Sequence, residues 1–227
     1  MRREWLAWTT FLLVEAAMAL NFLYAPNLAP GEQVHPLSQH LFYIHVGAAW
    51  NAAVAFTVVF VASIAYLRSR DLKWDLWAAA SAEIGVVFTA VTLLTGTIWA
   101  KAAWGVWWTW DPKLTTTLIL WFLFVAYLLI RESVTSPDTR AVYSAVLGIV
   151  AFLDVPVVFL AARWWSSIHP VVITGQGFLM PPSMVLTMVT GFVAFTFLYC
   201  YWLWHRTALA RVERRLSELR ARRREDI

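Results

Sequence analysis

Residues 42–67 read FYIHVGAAWNAAVAFTVVFVASIAYL, an apolar run without a single Asp, Glu, Lys or Arg. A helix needs about 20 predominantly apolar residues to cross the hydrocarbon core of a bilayer, and this run is long enough. Helices are suited to that environment because they satisfy their backbone hydrogen bonds internally. The stretch therefore predicts a transmembrane helix.

Five further apolar blocks of similar character accompany this one. The chain has 227 residues, is 60% hydrophobic and has a mean hydropathy of +0.62, which is well above the composition of an ordinary soluble domain. The sequence therefore predicts an all-α, polytopic membrane protein with six transmembrane helices. The six blocks are residues 5–24, 42–67, 77–99, 114–130, 142–162 and 184–204. The first follows MRRE and lacks a small-residue cleavage site, so it is expected to be a retained signal anchor.

Basic residues are distributed unevenly between the segments that connect these blocks. The N-terminus, two short connections and the chain after the sixth block together contain fifteen Lys and Arg residues. The three segments on the opposite side contain only Lys101, Lys113 and Arg163. Lys and Arg accumulate in cytoplasmic loops, so both termini are expected in the cytoplasm. The net charge of +4 follows from this topology and does not indicate a nucleic-acid partner.

The chain is expected to divide into a membrane domain, residues 1–206, and a basic tail, residues 207–227. Apolar residues at three- and four-residue spacing predict that the tail is an amphipathic helix. It is expected to lie on anionic lipid, and docking on a cytoplasmic partner is the alternative. The apolar residues of the tail are Leu209, Val212, Leu216 and Leu219.

The outer segment of residues 100–113 contains WGVWWTWD, which places four tryptophans and one carboxylate within residues 104–111. Tryptophan at a membrane interface usually forms part of an aromatic belt. A belt does not need this density, and flat indole faces also suit a large planar ligand. Asp111 is a candidate cap for a helix that begins near Pro112, or an acceptor for indole N–H groups.

Two histidines are candidate metal ligands on the same side. His45 lies about one turn inside the outer end of the second block, and His169 follows two tryptophans just after the fifth. Two imidazoles framed by indoles could hold a planar metal macrocycle from both sides, and histidine nitrogen is a standard axial ligand of haem iron. The only cysteine, Cys200, lies in the last block, and no C-x-x-C-H motif is present. Any haem would therefore be held without covalent attachment.

The remaining histidines have a simpler interpretation. His35 and His40 fall in the first outer segment, residues 25–41, which contains three prolines and is predicted to be a loop. Both are interpreted as polar surface residues, and so is His205 at the cytoplasmic end.

Three carboxylates fall inside apolar blocks, where ionisable residues tend to be paired or functional. Glu83 lies near the cytoplasmic end of its block and is expected to reach the interface. Asp154 is expected to make a structural polar contact beside Pro156, which is predicted to kink its helix. Glu15 receives no specific role.

The stretch GVVFTAVTLLTGTIWAKAAWGVWWTWDPKLTTTLILWFLF, residues 85–124, resembles the CcmC family of haem-handling proteins in cytochrome c maturation. Its core matches the tryptophan-rich WWD motif, W-G-x-x-W-x-W-D. The resemblance extends over essentially the whole chain and includes YIHVGAAW in the second block and RWWSSIHP after the fifth. The chain has Gly47 where the family usually has proline, and Pro112-Lys113 where the family has an Ala-Arg pair.

The resemblance implies a haem-binding protein of the bacterial inner membrane that is not an enzyme and whose site faces the periplasm or exterior. Family members bind haem through two external histidines that flank the WWD motif, and these correspond to His45 and His169 as axial ligands. The haem would be haem b, held transiently and non-covalently. The other implied site residues are Trp104, Trp107, Trp108, Trp110, Asp111 and Lys113, with Lys101 and Arg163 as further candidates to neutralise the haem propionates.

The resemblance also implies partners. The haem would pass to a membrane-anchored haem chaperone, and a small membrane subunit and an ABC transporter of the same system would take part.

Two alternatives differ in function: a b-type electron-transfer subunit and a component of a haem exporter. The histidines lie at outer helix ends rather than deep in the helices, which argues against the electron-transfer subunit. An exporter would need partners, because the chain has no nucleotide-binding motif.

Overall fold

The computed structural model describes residues 2–26, 38–169, 173–175 and 177–225. Within these residues the chain is almost entirely helical, and six helical segments are long and apolar enough to cross a membrane. The prediction of a six-span helical membrane protein is therefore confirmed. The six segments are Glu4–Tyr24, Ser38–Ser69, Leu72–Trp104, Pro112–Ser133, Pro137–Trp164 and Pro182–Ser217.

Seven α-helices build these spans, because the fifth span is divided in two. Helix α5 ends at Phe152 and α6 begins at Asp154, two residues before Pro156, so the predicted kink is a break in the helix. Helix α1 ends in a π-helical turn, Leu20–Tyr24. The helices are α1 (Arg2–Ala19), α2 (Ser38–Ser69), α3 (Leu72–Trp104), α4 (Pro112–Ser133), α5 (Pro137–Phe152), α6 (Asp154–Trp164) and α7 (Pro182–Glu225).

Helices α2 and α3 form the centre of the bundle. They pack against each other along most of their length, α2 also contacts α5 and α7, and α1 packs mainly on α7 at the periphery. The core is aromatic at mid-bundle, where the rings of Phe56 and Phe124 stack with 3.7 Å between their centres. Both side chains are fully buried, so the middle of the bundle is closed.

Two ion pairs join helices at the end of the bundle where α2 ends and α3 begins. We call this end the basic end. Arg131 of α4 donates two hydrogen bonds to the buried carboxylate of Asp75 in α3. Arg206 of α7 donates two to Glu83 of α3. Bidentate pairs of this kind fix orientation as well as distance. Glu83 thus binds another helix, whereas the sequence led us to expect it to reach the interface alone.

Asp154 does not make the polar contact expected for it. Its Oδ2 atom is buried without a hydrogen-bond partner among the residues that the structure describes. The carboxylate follows the break between α5 and α6, at Leu153. Its position is therefore set by the helix break rather than by a side-chain partner.

The opposite end of the bundle, where α3 ends and α4 begins, is hereafter the tryptophan end. Here the predicted loop over residues 25–41 is shorter than expected, since α2 begins at Ser38. The interpretation of His40 as a surface residue is wrong: it is buried, and its Nδ1 lies 3.0 Å from Oδ1 of Asn21. Asn21 also donates to the His40 carbonyl oxygen, so this pair joins α2 to the end of the first span. His35 lies outside the described residues.

Two further features were not predicted. A short antiparallel ribbon pairs β1 (Ile173–Thr174) with β2 (Gly177–Phe178) in the last outer segment. Helix α7 also runs without interruption from Pro182 to Glu225, so the predicted amphipathic tail is a direct continuation of the sixth span. A helix of 44 residues is about 66 Å long, roughly twice the thickness of the hydrocarbon core.

Candidate functional site

A cavity of about 350 Å³ lies inside the tryptophan end of the bundle. Helices α2, α3, α4, α6 and α7 contribute to its wall, and the segment after α6 contributes His169. The lining is mainly apolar and aromatic, with a few polar groups, which is typical of a small-molecule site. Both predicted metal ligands, His45 and His169, line this one cavity.

The orientation of His45 is set by helix α3. Its Nδ1 lies 3.0 Å from the carbonyl oxygen of Thr92 and 3.2 Å from Oγ1 of Thr95. A carbonyl oxygen only accepts hydrogen bonds, so Nδ1 carries the proton and donates. The lone pair then resides on Nε2. A metal-binding histidine usually donates its second ring nitrogen to a carbonyl in this way, which fixes its tautomer and its orientation.

Gly96 makes room for the His45 ring. A Cβ atom at this position would lie 3.0 Å from Cε1 and 3.4 Å from Nδ1 of His45, and the shorter distance is below ordinary van der Waals contact. The hydrogen bond to Thr92 allows the ring little freedom to retreat. Glycine at this position is therefore required by the close approach of α3 to the imidazole.

We expect Gly96→Ala to weaken ligand binding in the cavity, because the added methyl group displaces His45. A displacement of this size costs about 1–3 kcal/mol, which corresponds to a loss of about tenfold or more in haem affinity, measured by absorbance titration. Gly191→Ala is the matched control, because the nearest atom to its Cβ is a Tyr43 backbone oxygen at 3.8 Å. Equal affinities in the two variants would contradict this role for Gly96.

His169 faces His45 across the cavity. The two ring centres are 6.5 Å apart and the ring planes are inclined by 34°. With metal–imidazole bonds of about 2 Å on each side and about 1 Å from each nitrogen to its ring centre, one metal atom between two imidazoles separates the ring centres by about 6 Å. The observed spacing is therefore compatible with a single metal atom held by both side chains.

Asp111 holds the two outer segments together. Its Oδ1 accepts hydrogen bonds from the Lys113 backbone N–H at 2.9 Å and from the Ser167 hydroxyl at 3.0 Å. Its Oδ2 accepts one from the backbone N–H of Ile168 at 2.9 Å. The Ser167 oxygen in turn accepts from the backbone N–H of His169 at 3.0 Å. The predicted helix cap is confirmed, and the same carboxylate also connects the WWD segment to the chain that carries His169.

The structure separates the four tryptophans of the WWD segment into two pairs. Trp104 and Trp108 line the cavity, whereas Trp107 and Trp110 do not and are 60% and 76% exposed. Trp110 packs edge-on against Trp108, with 5.8 Å between ring centres. Only one of the two pairs is therefore in position to touch a molecule in the cavity.

Trp99 is a cavity residue that sequence reasoning missed. It lines the wall beside His45 and packs edge-on against Trp104, with 5.1 Å between ring centres. Its indole Nε1 is buried without a hydrogen-bond partner among the described residues. No sequence pattern marks it, because a separation of five residues from Trp104 places the two indoles about 140° apart around a helix, on different faces.

The three outer cations also differ in position: two line the cavity and one does not. Lys113 and Arg163 line the cavity. Lys101 instead donates from Nζ to the carbonyl oxygen of Gly105 at 2.8 Å, next to the left-handed turn (φ 75°) that ends α3. Two of the three predicted cations are therefore positioned to meet negative charge on a bound molecule.

Together these residues fit an amphiphilic metal macrocycle. Indole and aliphatic side chains offer apolar contact for a ring, two imidazoles offer nitrogen ligands to a central metal, and two cations can pair with carboxylates.

Comparison with known proteins matches the chain to one family, and its relatives carry the same or a related description. The chain matches the family CcmC, described as "Heme exporter protein C", over residues 1–222. "Heme exporter protein C" of Bradyrhizobium diazoefficiens is 31% identical over 197 residues, which cover 86% of this chain and 73% of that protein. The protein of the same description from Rhodobacter capsulatus is 34% identical, covering 71% of this chain and 65% of its own length.

A relative from a plant has a related description. The "Putative cytochrome c biosynthesis ccmC-like mitochondrial protein" of Marchantia polymorpha is 29% identical over 172 residues, which cover 75% of this chain and 73% of that protein. The family match and these relatives agree with the predicted fold and with a role in handling haem. This chain belongs to the CcmC family.

Proposed function

We propose that this chain binds haem at its tryptophan end, with His45 and His169 as axial ligands of the iron, and delivers it to a membrane-anchored haem chaperone for cytochrome c maturation. The observation that carries the proposal is the pair of imidazoles facing each other 6.5 Å apart in one apolar cavity. In this arrangement Trp99, Trp104 and Trp108 contact the macrocycle. Lys113 and Arg163 pair with the propionates of a non-covalently bound haem b.

The asymmetry of the two histidines suggests how haem is released. His45 is part of helix α2 and is fixed by the Thr92 carbonyl on α3. His169 lies after the end of α6, in a segment attached to the WWD segment through Asp111. Movement of a loop segment requires less disruption than movement of a packed helix. We therefore infer that His169 is the ligand that leaves first when haem is transferred.

The exposed tryptophans are suited to a different task from the buried ones. Trp107 and Trp110 face away from the cavity, and exposed indoles are frequent energetic centres of protein interfaces. We propose that this pair contacts the haem chaperone, whereas Trp104 and Trp108 contact haem. An aromatic belt at a membrane interface would not require this division.

The distribution of charge supports an orientation in the bacterial inner membrane. Most Lys and Arg residues lie in the segments at the basic end or in the α7 extension, and only three belong to the tryptophan end. By the positive-inside rule, the basic end and both termini are cytoplasmic and the haem site faces the periplasm. The α7 extension then continues out of the membrane as part of the same helix. This continuity favours docking to a cytoplasmic partner, such as the ABC transporter of the system, over lying flat on lipid.

Two alternatives receive less support. In an electron-transfer subunit the histidines would be expected at mid-membrane, whereas that level is filled by stacked Phe56 and Phe124. For an exporter, a path through the bundle would be needed. The cavity reaches Ala53 of α2 and Leu120 of α4, and the Phe56–Phe124 stack lies one helical turn further along both helices. The small membrane subunit implied by the family has no assigned surface in this proposal.

The division of the tryptophans provides a test of the proposed function. We expect Trp104→Leu with Trp108→Leu to lower haem affinity by about tenfold, because aromatic stacking contributes about 0.5–1.5 kcal/mol beyond burial for each pair. Trp107→Leu with Trp110→Leu should retain haem at the wild-type level and lose transfer to the chaperone. Both quantities can be measured on one preparation, by haem titration and by stopped-flow transfer to a purified haem chaperone.

The two double variants serve as controls for each other, since both replace two indoles by leucine. If Trp107→Leu with Trp110→Leu transfers haem at the wild-type rate, the exposed pair belongs to a lipid belt. If both variants lose haem equally, the division between the cavity pair and the exposed pair is wrong.

A further inference from the structure

Helix α1 buries only one side. It packs mainly on α7, and the residues it buries, Thr10, Ala17 and the Asn21 that follows it, face the bundle. The opposite side is exposed and includes Trp8, Phe11, Leu12, Glu15 and Ala19. With about 100° of rotation per residue for a helix of 3.6 residues per turn, Glu15 lies within this exposed side, about 140° around the helix from the buried residues. Its side chain therefore leaves the helix on the side away from the bundle.

Glu15 also lies at the middle of the span in depth. The span runs from Glu4 to Tyr24, so Glu15 is about half-way along it and several helical turns from either interface. A short glutamate side chain cannot reach the headgroup region from there, because only long side chains near helix ends do so. The carboxyl group is therefore placed at the hydrocarbon level.

No hydrogen bond or ion pair satisfies this carboxyl group within the part of the chain that the structure describes. A carboxylate facing lipid at mid-membrane is costly, and such groups almost always pair with another polar group or face a protein interior. Two other carboxylates of the spans follow this rule, since Asp75 and Glu83 of α3 are each bound by an arginine of a neighbouring helix. Asp154, whose Oδ2 is buried without a partner among the described residues, does not.

We propose that the exposed face of α1 is the docking surface for a transmembrane helix of another protein, and that this helix carries a cationic side chain, Arg or Lys, at the depth of Glu15. The flanking residues suit such a contact. Ala16 and Ala19 allow close approach of a second helix, and Trp8, Phe11 and Leu12 supply apolar area around the polar pair. The cation would satisfy Glu15 as Arg131 and Arg206 satisfy the carboxylates of α3.

A second copy of the same chain fits this surface less well. A two-fold contact between α1 helices would bring two Glu15 carboxyl groups together, and like charges at one site oppose each other. The exposed face of α1 contains no Lys or Arg between Trp5 and Tyr24 that could form an ion pair with the Glu15 carboxylate of another copy. Charge complementarity thus requires a different protein.

Site-specific photo-crosslinking in native membranes tests the proposal. A photoreactive residue replaces Leu12, one turn from Glu15, and in a control protein it replaces Leu129 of α4, which is equally exposed at 63%. Cross-linked segments are identified by mass spectrometry. We expect Leu12, and not Leu129, to capture one transmembrane segment with an Arg or Lys at mid-depth. Adding Glu15→Leu should lower the yield by about tenfold, as expected for loss of a polar helix–helix contact.

Haem retention is the folding control for Glu15→Leu, because α1 contributes nothing to the wall of the cavity. Lipid adducts alone at Leu12, cross-links to a second copy of this chain, or a captured helix without a mid-depth cation would each overturn the proposal. So would a cross-linking yield that Glu15→Leu leaves unchanged. A Glu15→Gln variant provides a further check. If it binds the captured helix only after the partner's cation has also been replaced by a neutral hydrogen-bonding residue, the two side chains form a direct pair.

Discussion

Replacing His45 by alanine is expected to lower the affinity for haem by at least about 100-fold, since even residues that only orient a metal ligand change affinity by about 10–100-fold. His45 is the better fixed of the two histidines, because its Nδ1 is bound to Thr92 and its Nε2 is left to bind metal. His169→Ala should have a smaller effect on affinity and a larger effect on the rate of haem loss. The measurements are absorbance titration with haem and dissociation into excess apomyoglobin, both in nanodiscs.

Two controls make this result specific. His205→Ala removes an exposed imidazole that packs against Tyr201 on α7, near the basic end, and should leave both haem parameters unchanged. Added imidazole should restore the spectrum of His45→Ala in part, because the small molecule can enter the space left by the side chain. If His45→Ala and His205→Ala bind haem equally well, neither nitrogen of His45 is a ligand.

Replacing Asp111 by alanine is expected to have the second largest effect. The change removes three accepted hydrogen bonds, from Lys113, Ser167 and Ile168, at a carboxylate that is itself buried while its donors are partly exposed. Each lost hydrogen bond costs about 0.5–1.5 kcal/mol, so we expect a lower melting temperature and a loss of about 100-fold in haem affinity as His169 is released from its position. Thermal unfolding and haem titration measure the two effects.

Asp71 provides the matched control for Asp111. Its side chain caps α3 at the basic end by accepting from the backbone N–H of Lys73 at 2.9 Å, as Asp111 caps α4. Asp71→Ala should lower stability slightly, through the loss of a solvent-exposed cap, and should leave haem affinity unchanged. Equal losses of haem affinity in the two variants would mean that the link from Asp111 to the His169 segment has no role in binding.

Asp111→Asn separates the parts of this link. An asparagine oxygen in place of Oδ1 keeps the bonds from Lys113 and Ser167, whereas its NH2 group would face the Ile168 donor. We expect this variant to lie between wild type and Asp111→Ala in haem affinity. Such a result would indicate that Asp111 acts mainly by holding the two segments together; the contact with haem that the resemblance implies stays a prediction.

The sequence was sufficient for features that depend on local pattern. The apolar blocks predicted six spans because a membrane helix needs only length and hydropathy, and Asp111 before Pro112 predicted a helix start because capping is local. The placement of His45 and His169 within one cavity was foreseen from residue type and from the side of the membrane. The tautomer of His45 and the separation of the two rings were not, since they depend on Thr92 of another helix and on the packing of distant segments.

Features that depend on contacts between distant segments could not be predicted. His40 is buried because Asn21, in another span, binds both its ring and its carbonyl oxygen. Asp111 reaches Ser167 and Ile168, 56 and 57 residues further along the chain. Likewise, the turn at Gly105 sets which indoles of the WWD segment face inward, and no periodicity in an eight-residue loop segment reveals that choice. Sequence pattern therefore identified the candidate residues, whereas their contacts depend on the tertiary fold.

The central claim is that one haem iron lies between His45 and His169. The most direct test is the absorption spectrum, with low-temperature electron paramagnetic resonance, of the purified protein in nanodiscs after addition of one equivalent of ferric haem. We expect a six-coordinate, low-spin species with two imidazole ligands, present in wild type and lost in His45→Ala with His169→Ala. A five-coordinate, high-spin spectrum in the wild type, or a low-spin spectrum that persists in the double variant, would contradict it.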